Sequence, residues 1–296
     1  MSGMSDLPVR AGDGDDVGDV GASGRTFLVT GGNTGIGLST ATELARRGGR
    51  VYIGCRSMAA GEAAVAAIKS AAGSRDVWLL PLDLSSLTSV RACAAAFLAR
   101  GEPLHVLVNN AGIGGQRGLT VDGFELHFGV NHLGHYALTL LLLDRLTASG
   151  PDARIVNVSS AAHYGAPGID FDALRRRTAS FTGQREYAVS KLCNVLFTQE
   201  LARRQTGVSA YALHPGVVAS DIWRRVPRLV RPLITARMLT TEQGAVTSLY
   251  CATSPAVAAD GGRYFDQRAV QEPNPVATPE LVELLWQRSA TWAGVG

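Results

Sequence analysis

No stretch of this 296-residue chain approaches the run of roughly 18 apolar residues that a membrane-crossing helix needs. The densest run, ALTLLLLDRL at 137–146, is short and is broken by Asp144 and Arg145. Cysteine is scarce: Cys55, Cys93, Cys193 and Cys251 lie far apart with no C-x-x-C pair. That spacing argues against a zinc ribbon or a disulfide scaffold and predicts a reducing, cytoplasmic setting. A strong charge of one sign is missing too, and a formal net charge of +3 makes no case for nucleic acid. The N-terminus has neither the basic start nor the apolar stretch of a secretory signal. There is also no internal repeat and no compositional break that would announce a second folded domain.

What is present suits a well-packed globular protein. Hydrophobic residues make up 46% of the chain and charged residues 18%. A chain this long can bury one large core. Residues 1–24 differ from the rest, being rich in Gly and Asp with one Arg and five Asp. They read as a disordered leader ahead of a single domain spanning 25–296.

From residue 25 the pattern alternates short apolar runs with helical segments. RTFLVT (25–30), RVYIGC (50–55), DVWLLPLD (76–83), LHVLVNN (104–110), ARIVNVSS (153–160) and GVSAYALHPG (207–216) read as six strands, and RYF (263–265) as a seventh. Between them lie helices, among them the Ala-rich 58–72, a long one over 123–148, and REYAVSKLCNVLF (185–197). Strands this apolar must be covered on both faces. The fold class is therefore α/β, a single-domain doubly wound structure with a mostly parallel, seven-stranded sheet flanked by helices. Two stretches interrupt the rhythm, 161–185 and roughly 217–241, and insertions of that length belong at the carboxyl ends of the strands, where ligands bind.

After the first strand comes TGGNTGIG, Thr30 to Gly37, with Gly31, Gly35 and Gly37 placed where a backbone must turn tightly and approach a ligand. The N–H groups of the helix that follows favour a pyrophosphate, so the turn points to a dinucleotide. An NAD site wants a carboxylate about 20 residues further on. Here that place holds Cys55 and Arg56. A guanidinium can pair with a 2′-phosphate that a carboxylate would repel, which favours NADP(H). The bland alternative is that Arg56 is one surface arginine among many.

Tyr187 and Lys191 stand one helical turn apart, beside Val189, Leu192, Val195, Leu196 and Phe197. Taken alone, that segment fits an ordinary amphipathic helix as readily as a chemical pair. The surrounding motifs decide it. TGGNTGIG, Leu82–Asp83, NNAG (109–112), Asn131, VNVSS (156–160), YAVSK (187–191) and HPG (214–216) together resemble the short-chain dehydrogenase/reductase family, within it the retinol-dehydrogenase-like and protochlorophyllide-reductase-like members. The likeness covers about 25–266.

That resemblance implies a Rossmann fold and a set of site residues. Gly31, Asn33, Thr34, Gly35, Ile36 and Gly37 would line the pyrophosphate, with Arg56 at the 2′-phosphate. Asp83 and Leu84 would meet the adenine, Asn110, Ala111 and Gly112 would pass beneath the ribose, and Pro215, Gly216 and Val218 would flank the nicotinamide. Ser160, Tyr187, Lys191 and Asn131 would form the catalytic tetrad, with Tyr187 and Lys191 also contacting cofactor. Two departures from the family stand out. Ser160 and Tyr187 are 27 residues apart, roughly twice the usual interval, as in the retinol-dehydrogenase-like subgroup. Thr34 stands where NADP-preferring members often place a base.

The chemistry explains why these residue types are needed. A tyrosine with an ordinary pKa of about 10 is a poor base. An ammonium one turn away favours the phenolate and pulls that value toward neutrality. Ser160 would hydrogen-bond the substrate oxygen as charge develops. Strand alternation sends Ser159 to the opposite side. Asn131 would hold a water relaying protons to Lys191, unless it is a helix-bending structural asparagine. His132 and His135, at i and i+3, lack a third ligand, so no metal is expected. His163 is a candidate pocket residue, and His214 is expected to be structural.

The stretch 217–239 is expected to cover the substrate. Pro227 and Pro232 break it into short pieces, Trp223 faces inward, and Arg224, Arg225, Arg228, Arg231 and Arg237 suit an acidic substrate, a carrier or an anionic membrane surface, or simply a solvated face. A bulky hydrophobic carbonyl or alcohol follows as substrate: retinoid-, steroid- or polyketide-like. The expected activity is NADP(H)-dependent carbonyl reduction or alcohol oxidation. The alternatives are a conjugated C=C reductase of secondary metabolism and a non-catalytic NADP(H)-binding sensor. By analogy with the family, helices 123–148 and 186–205 would be the faces of a homodimer or homotetramer.

Overall fold

The structure, a computed structural model, describes residues 21–204, 206–218 and 238–295. Eight strands form one sheet: β1 (Thr26–Thr30), β2 (Arg50–Cys55), β3 (Val77–Pro81), β4 (Val106–Asn109), β5 (Arg154–Val158), β6 (Ser209–His214), β7 (Tyr264–Asp266) and β8 (Ala269–Gln271). Their order is β3-β2-β1-β4-β5-β6-β7-β8, parallel throughout except for β8. The order reverses between β1 and β4, which pair through Phe27–Val106 and Val29–Val108. A crevice at the carboxyl ends of the strands follows from that reversal. β1, β4 and β5 are buried along their whole length, as strands covered on both faces must be.

The eighth strand corrects the expected count of seven. β7 turns back into β8 through Gln267 and Arg268, both at positive φ (47° and 68°). Two-residue hairpins of this type favour Asn-Gly or Asp-Gly. Gln-Arg carries no such signal, so the turn is invisible in the sequence.

Among the described residues seven α-helices lie on the two faces: α1 (Gly35–Arg46), α2 (Met58–Ala72), α3 (Leu87–Leu98), α4 (Gly134–Ala148), α5 (Gln184–Arg203), α6 (Thr241–Thr253) and α7 (Pro279–Ala293). Side-chain oxygens of Ser57, Ser86, Thr240 and Thr278 cap four of them, accepting from backbone N–H groups that would otherwise go unpaired. The helix expected over 123–148 runs from 126, and its stretch Phe128–Leu133 is π-helical before α4 continues it, with Asn131 in that stretch.

α7 lies beyond the last element expected from sequence, and it changes what α4 and α5 are free to do. Trp286 packs edge-on against Tyr136 of α4 (5.2 Å between ring centroids) and tilted against Phe197 of α5 (5.9 Å). Ser289 hydrogen-bonds His132 Nε2 at 3.0 Å, and Glu283 pairs with Arg203 and Arg204 of α5. α7 thus packs on one side of α4 and α5, the helices expected to meet a second copy.

Candidate active site

The dinucleotide turn is stitched to the sheet at the switch point. Gly31 (φ 67°) donates its N–H to Gly54 O at 2.7 Å, and a Cβ there would meet Ala111 Cα at 3.0 Å. A side chain at Gly37 would collide with Asn110 Nδ2 and Gly31 O. Thr30 Oγ1 accepts from the N–H groups of Asn110 (2.9 Å) and Ala111 (3.0 Å), and Asn110 Nδ2 donates to Thr30 O at 2.8 Å. β1 and β4 therefore end together, with Gly31, Gly37, Asn110, Ala111 and Gly112 lining one cradle. Asn33, Thr34, Gly35 and Ile36 carry the chain into α1.

Arg56 is exposed directly after β2, next to that turn. Asp83 follows β3, its carboxylate accepting from Ser85 N and Oγ (2.9 and 2.7 Å), and Leu84 is buried beside it. Pro215 and Gly216 (φ 85°) leave the end of β6, and Val218 pairs with Leu239. These residues fit a nicotinamide dinucleotide: a glycine-rich cradle for the pyrophosphate, with an exposed arginine beyond β2.

The structure brings the four tetrad residues together. Lys191 Nζ donates to Val158 O at 2.9 Å and lies 5.7 Å from the Tyr187 ring centroid. A Cβ on Gly112 would sit 3.4 Å from both Lys191 Nζ and Asn131 Oδ1, so the asparagine and lysine heads flank the same point of the cradle. Ser160 caps a short 3₁₀ turn, Ala161–Gly165, and its hydroxyl bonds Tyr187. Ser159 points the other way and gives its hydroxyl proton to Lys191 O at 2.7 Å.

Burial pushes the Tyr187 phenol above its ordinary pKa, and the hydrogen bond from Ser160 opposes that rise. Burial alone brings Lys191 down to about 8. Desolvation, not the downward pull expected from the lysine, sets the direction of the Tyr187 shift.

Asn131 is locked on all sides. Its Oδ1 accepts from Ile113 N (2.8 Å), and its Nδ2 donates to Ile113 O (3.0 Å) and Ser190 Oγ (2.9 Å). Its carbonyl accepts from His135 Nδ1 at 2.9 Å. Because Thr30 Oγ1 already accepts two N–H groups, its own proton goes to His135 Nε2 at 2.8 Å. His135 therefore ties the dinucleotide turn to the tetrad asparagine, a role that its helical spacing from His132 did not reveal. Both histidines are dry, and burial lowers their pKa values to about 3 (His132) and about 4 (His135). Among the described residues no group of side chains could hold a metal ion.

The long interval before Tyr187 is ordered by buried polar side chains. His163 does not line an open pocket, contrary to expectation, because its ring is fully buried. Its Nδ1 donates to Ser160 O (2.8 Å), its Nε2 accepts from Asn274 N (3.3 Å), and Asn274 Nδ2 bonds the carbonyls of His163 and Ala166. Further along, Glu125 holds Thr178, and Glu186 accepts from Ala179 N and Ser180 N. The extra residues thus return the chain to α5 without moving Tyr187 away from Ser160. Trp223 and the five arginines of 219–237 lie outside the described residues. The segment's base is visible, with Leu239 N donating to Val217 O at 2.9 Å.

Comparison with known proteins bears on the family and the fold. The family profile for short chain dehydrogenase matches residues 25–171. Retinol dehydrogenase 12 of Mus musculus is 45% identical over 280 residues, covering 92% of this chain and 87% of the relative. Among solved structures, an uncharacterized protein from Mycobacterium paratuberculosis has a TM-score of 0.73 at 34% identity, covering 93% of this chain and 96% of that one. Actinorhodin polyketide ketoreductase with NADPH has a TM-score of 0.64 at 25% identity, covering 82% and 95%.

Proposed function

Since the chain belongs to the short-chain dehydrogenase family, among its retinol-dehydrogenase-like members, it is an oxidoreductase of CH–OH and C=O groups, and from that premise we propose an NADP(H)-dependent carbonyl reductase or alcohol dehydrogenase for bulky hydrophobic substrates. The observation that carries this reading is Tyr187, hydrogen-bonded to Ser160 and one turn from Lys191 on a buried helix.

The dinucleotide, when bound, supplies or takes the hydride at the substrate carbon. Gly31, Gly35, Ile36 and Gly37 would hold its pyrophosphate and Arg56 its 2′-phosphate. Tyr187 donates its phenolic proton to the carbonyl oxygen during reduction and recovers it in the reverse direction. Ser160 steadies the developing negative charge on that oxygen. Lys191 keeps positive charge near the phenol, and Asn131 fixes the polypeptide on the far side of Gly112. Support for NADP(H) comes from Arg56 in place of a carboxylate, and from the ketoreductase relative solved with NADPH. The retinol relative and the polyketide relative together point to a large apolar substrate. Four free thiols, all buried, support a reducing cytoplasmic setting.

The test is a screen of hydrophobic ketones and aldehydes followed by NADPH absorbance. Tyr187→Phe should bind NADPH as the wild type does and lose about 10²- to 10⁴-fold in turnover. The Cys55→Asp, Arg56→Ser double variant should shift preference toward NADH. Undiminished turnover in Tyr187→Phe would sink the acid–base assignment, and an unshifted preference in the double variant would sink the role of Arg56.

A further inference from the structure

Two buried ionisable side chains beside Tyr187 have no place in the tetrad. Glu125 is 2% exposed and His127 is 0% exposed. A lone carboxylate in such a position would be costly, but Glu125 is fully engaged. Its Oε2 accepts from Phe128 N at 2.8 Å, and its Oε1 from Thr178 Oγ1 and His127 Nδ1, the latter at 3.0 Å. The carboxylate thereby sets the orientation of the imidazole and keeps a proton on Nδ1. His127 Nε2, on the far side of the ring, is buried with no hydrogen-bond partner among the described residues.

The oriented ring touches the catalytic helix in two places. It stands edge-on to the Tyr187 ring, 6.3 Å between centroids at 77°. It also fills the space beneath Gly183, the residue before α5, whose φ is +71°. A Cβ there would lie 2.8 Å from His127 Cε1 and 3.3 Å from Nε2. Gly183 O in turn accepts from Tyr187 N at 2.9 Å. The imidazole therefore fixes both where α5 starts and where the phenol ring stands. A space-filling aromatic ring would not need a carboxylate sunk into the core to turn it.

We propose that Glu125 and His127 form a positioning pair for Tyr187, holding the phenol against Ser160. This rests on the reading of Tyr187 as the acid–base group. His127 acts through Tyr187 and needs no contact with substrate or dinucleotide.

The experiment uses the full-length protein, NADPH and the best ketone from the screen, with four variants: His127→Phe, His127→Asn, Glu125→Gln and Tyr187→Phe. His127→Phe should lower kcat about 10- to 100-fold, the size of effect expected when a reacting group is displaced by about 1 Å. KM and the NADPH dissociation constant should stay within about threefold, and the alkaline limb of the kcat–pH profile should move. Glu125→Gln leaves the ring in place but frees its orientation, so a smaller loss with the same pH signature is expected; it also serves if His127→Phe does not fold. His127→Asn keeps an N–H for Glu125 and should recover part of the rate.

Wild-type kcat and pH profile in both His127→Phe and Glu125→Gln would overturn the proposal. So would parallel losses of kcat, NADPH affinity and melting temperature, which mark general loosening. If Tyr187→Phe is inactive while the other variants are normal, this inference alone fails. If Tyr187→Phe is fully active, the reading beneath it fails.

Discussion

Lys191 is the residue on which the pH behaviour turns. It is dry, its ammonium touches only Val158 O among the bonds described, and burial holds its pKa at about 8. Below that value the positive charge that favours the phenolate is present. Above it the charge is lost, although Tyr187 itself is still protonated. Carbonyl reduction, measured as kcat/KM with NADPH, should therefore fall as pH rises through about 8. Lys191→Arg, which cannot lose its charge in this range, should remove that limb even if its absolute rate is lower. A wild-type profile flat to pH 9.5 would contradict the assignment. At this scale the candidates Tyr187, Lys191 and Ser160 were legible, because each lies in a local motif, YAVSK or VNVSS, even though the interval between the two motifs is long. Glu125, His127 and Ser190 were not. Their partners come from Thr178, Gly183 and Asn131, on other segments, and no local pattern in FELHF or AVSK announces those contacts.

Among the elements, the π-helical segment and α4 hold the two most strongly depressed histidines. His132 bonds Ser289 of α7, and His135 bridges Thr30 and Asn131, so both rings are neutral in the folded protein. An unfolded histidine takes up its proton near pH 6.5, whereas these wait until about 3 and about 4. Between those values the unfolded state binds more protons. Their contribution is thus full above pH 6.5 and is lost as pH falls below it, by on the order of 1.4 kcal/mol per unit for each ring. Melting temperature should drop steadily from pH 7 to pH 5, and His132→Gln should shallow that slope. An unchanged slope would show that other groups carry it.

The strands were legible as elements because their apolar runs are short and bounded by Gly, Asp and Pro. The π-helical segment was not, since no local pattern in FGVNHL announces it. α7 does carry readable signals, with Thr278 at its cap and Pro279 in its first turn. Its consequence for α4 and α5 could only be seen in three dimensions.

For the whole molecule, the core on one face of the sheet joins α3, α4, α5 and α7, and the core on the other joins α1, α2 and α6. Fold class followed from alternation alone, but the exact strand count and the covered α4–α5 face did not. A self-associating copy that used that face would have to displace Trp286 and Trp292 from the aromatic cluster they complete with Tyr136, Phe197, Phe124 and Phe128.

The hydrogen bond that joins Leu239 to Val217 means that the chain departs from the scaffold and rejoins it at one point. The root of 219–237 is thus held between β6 and α6. Exchanging 219–237 for the matching stretch of a relative should therefore change KM across a panel of carbonyl compounds while leaving the NADPH dissociation constant and melting temperature nearly as they were. A graft that abolished NADPH binding would contradict this. If it holds, selectivity and redox chemistry are inherited separately in this protein, and one can drift toward new substrates while the other stays fixed.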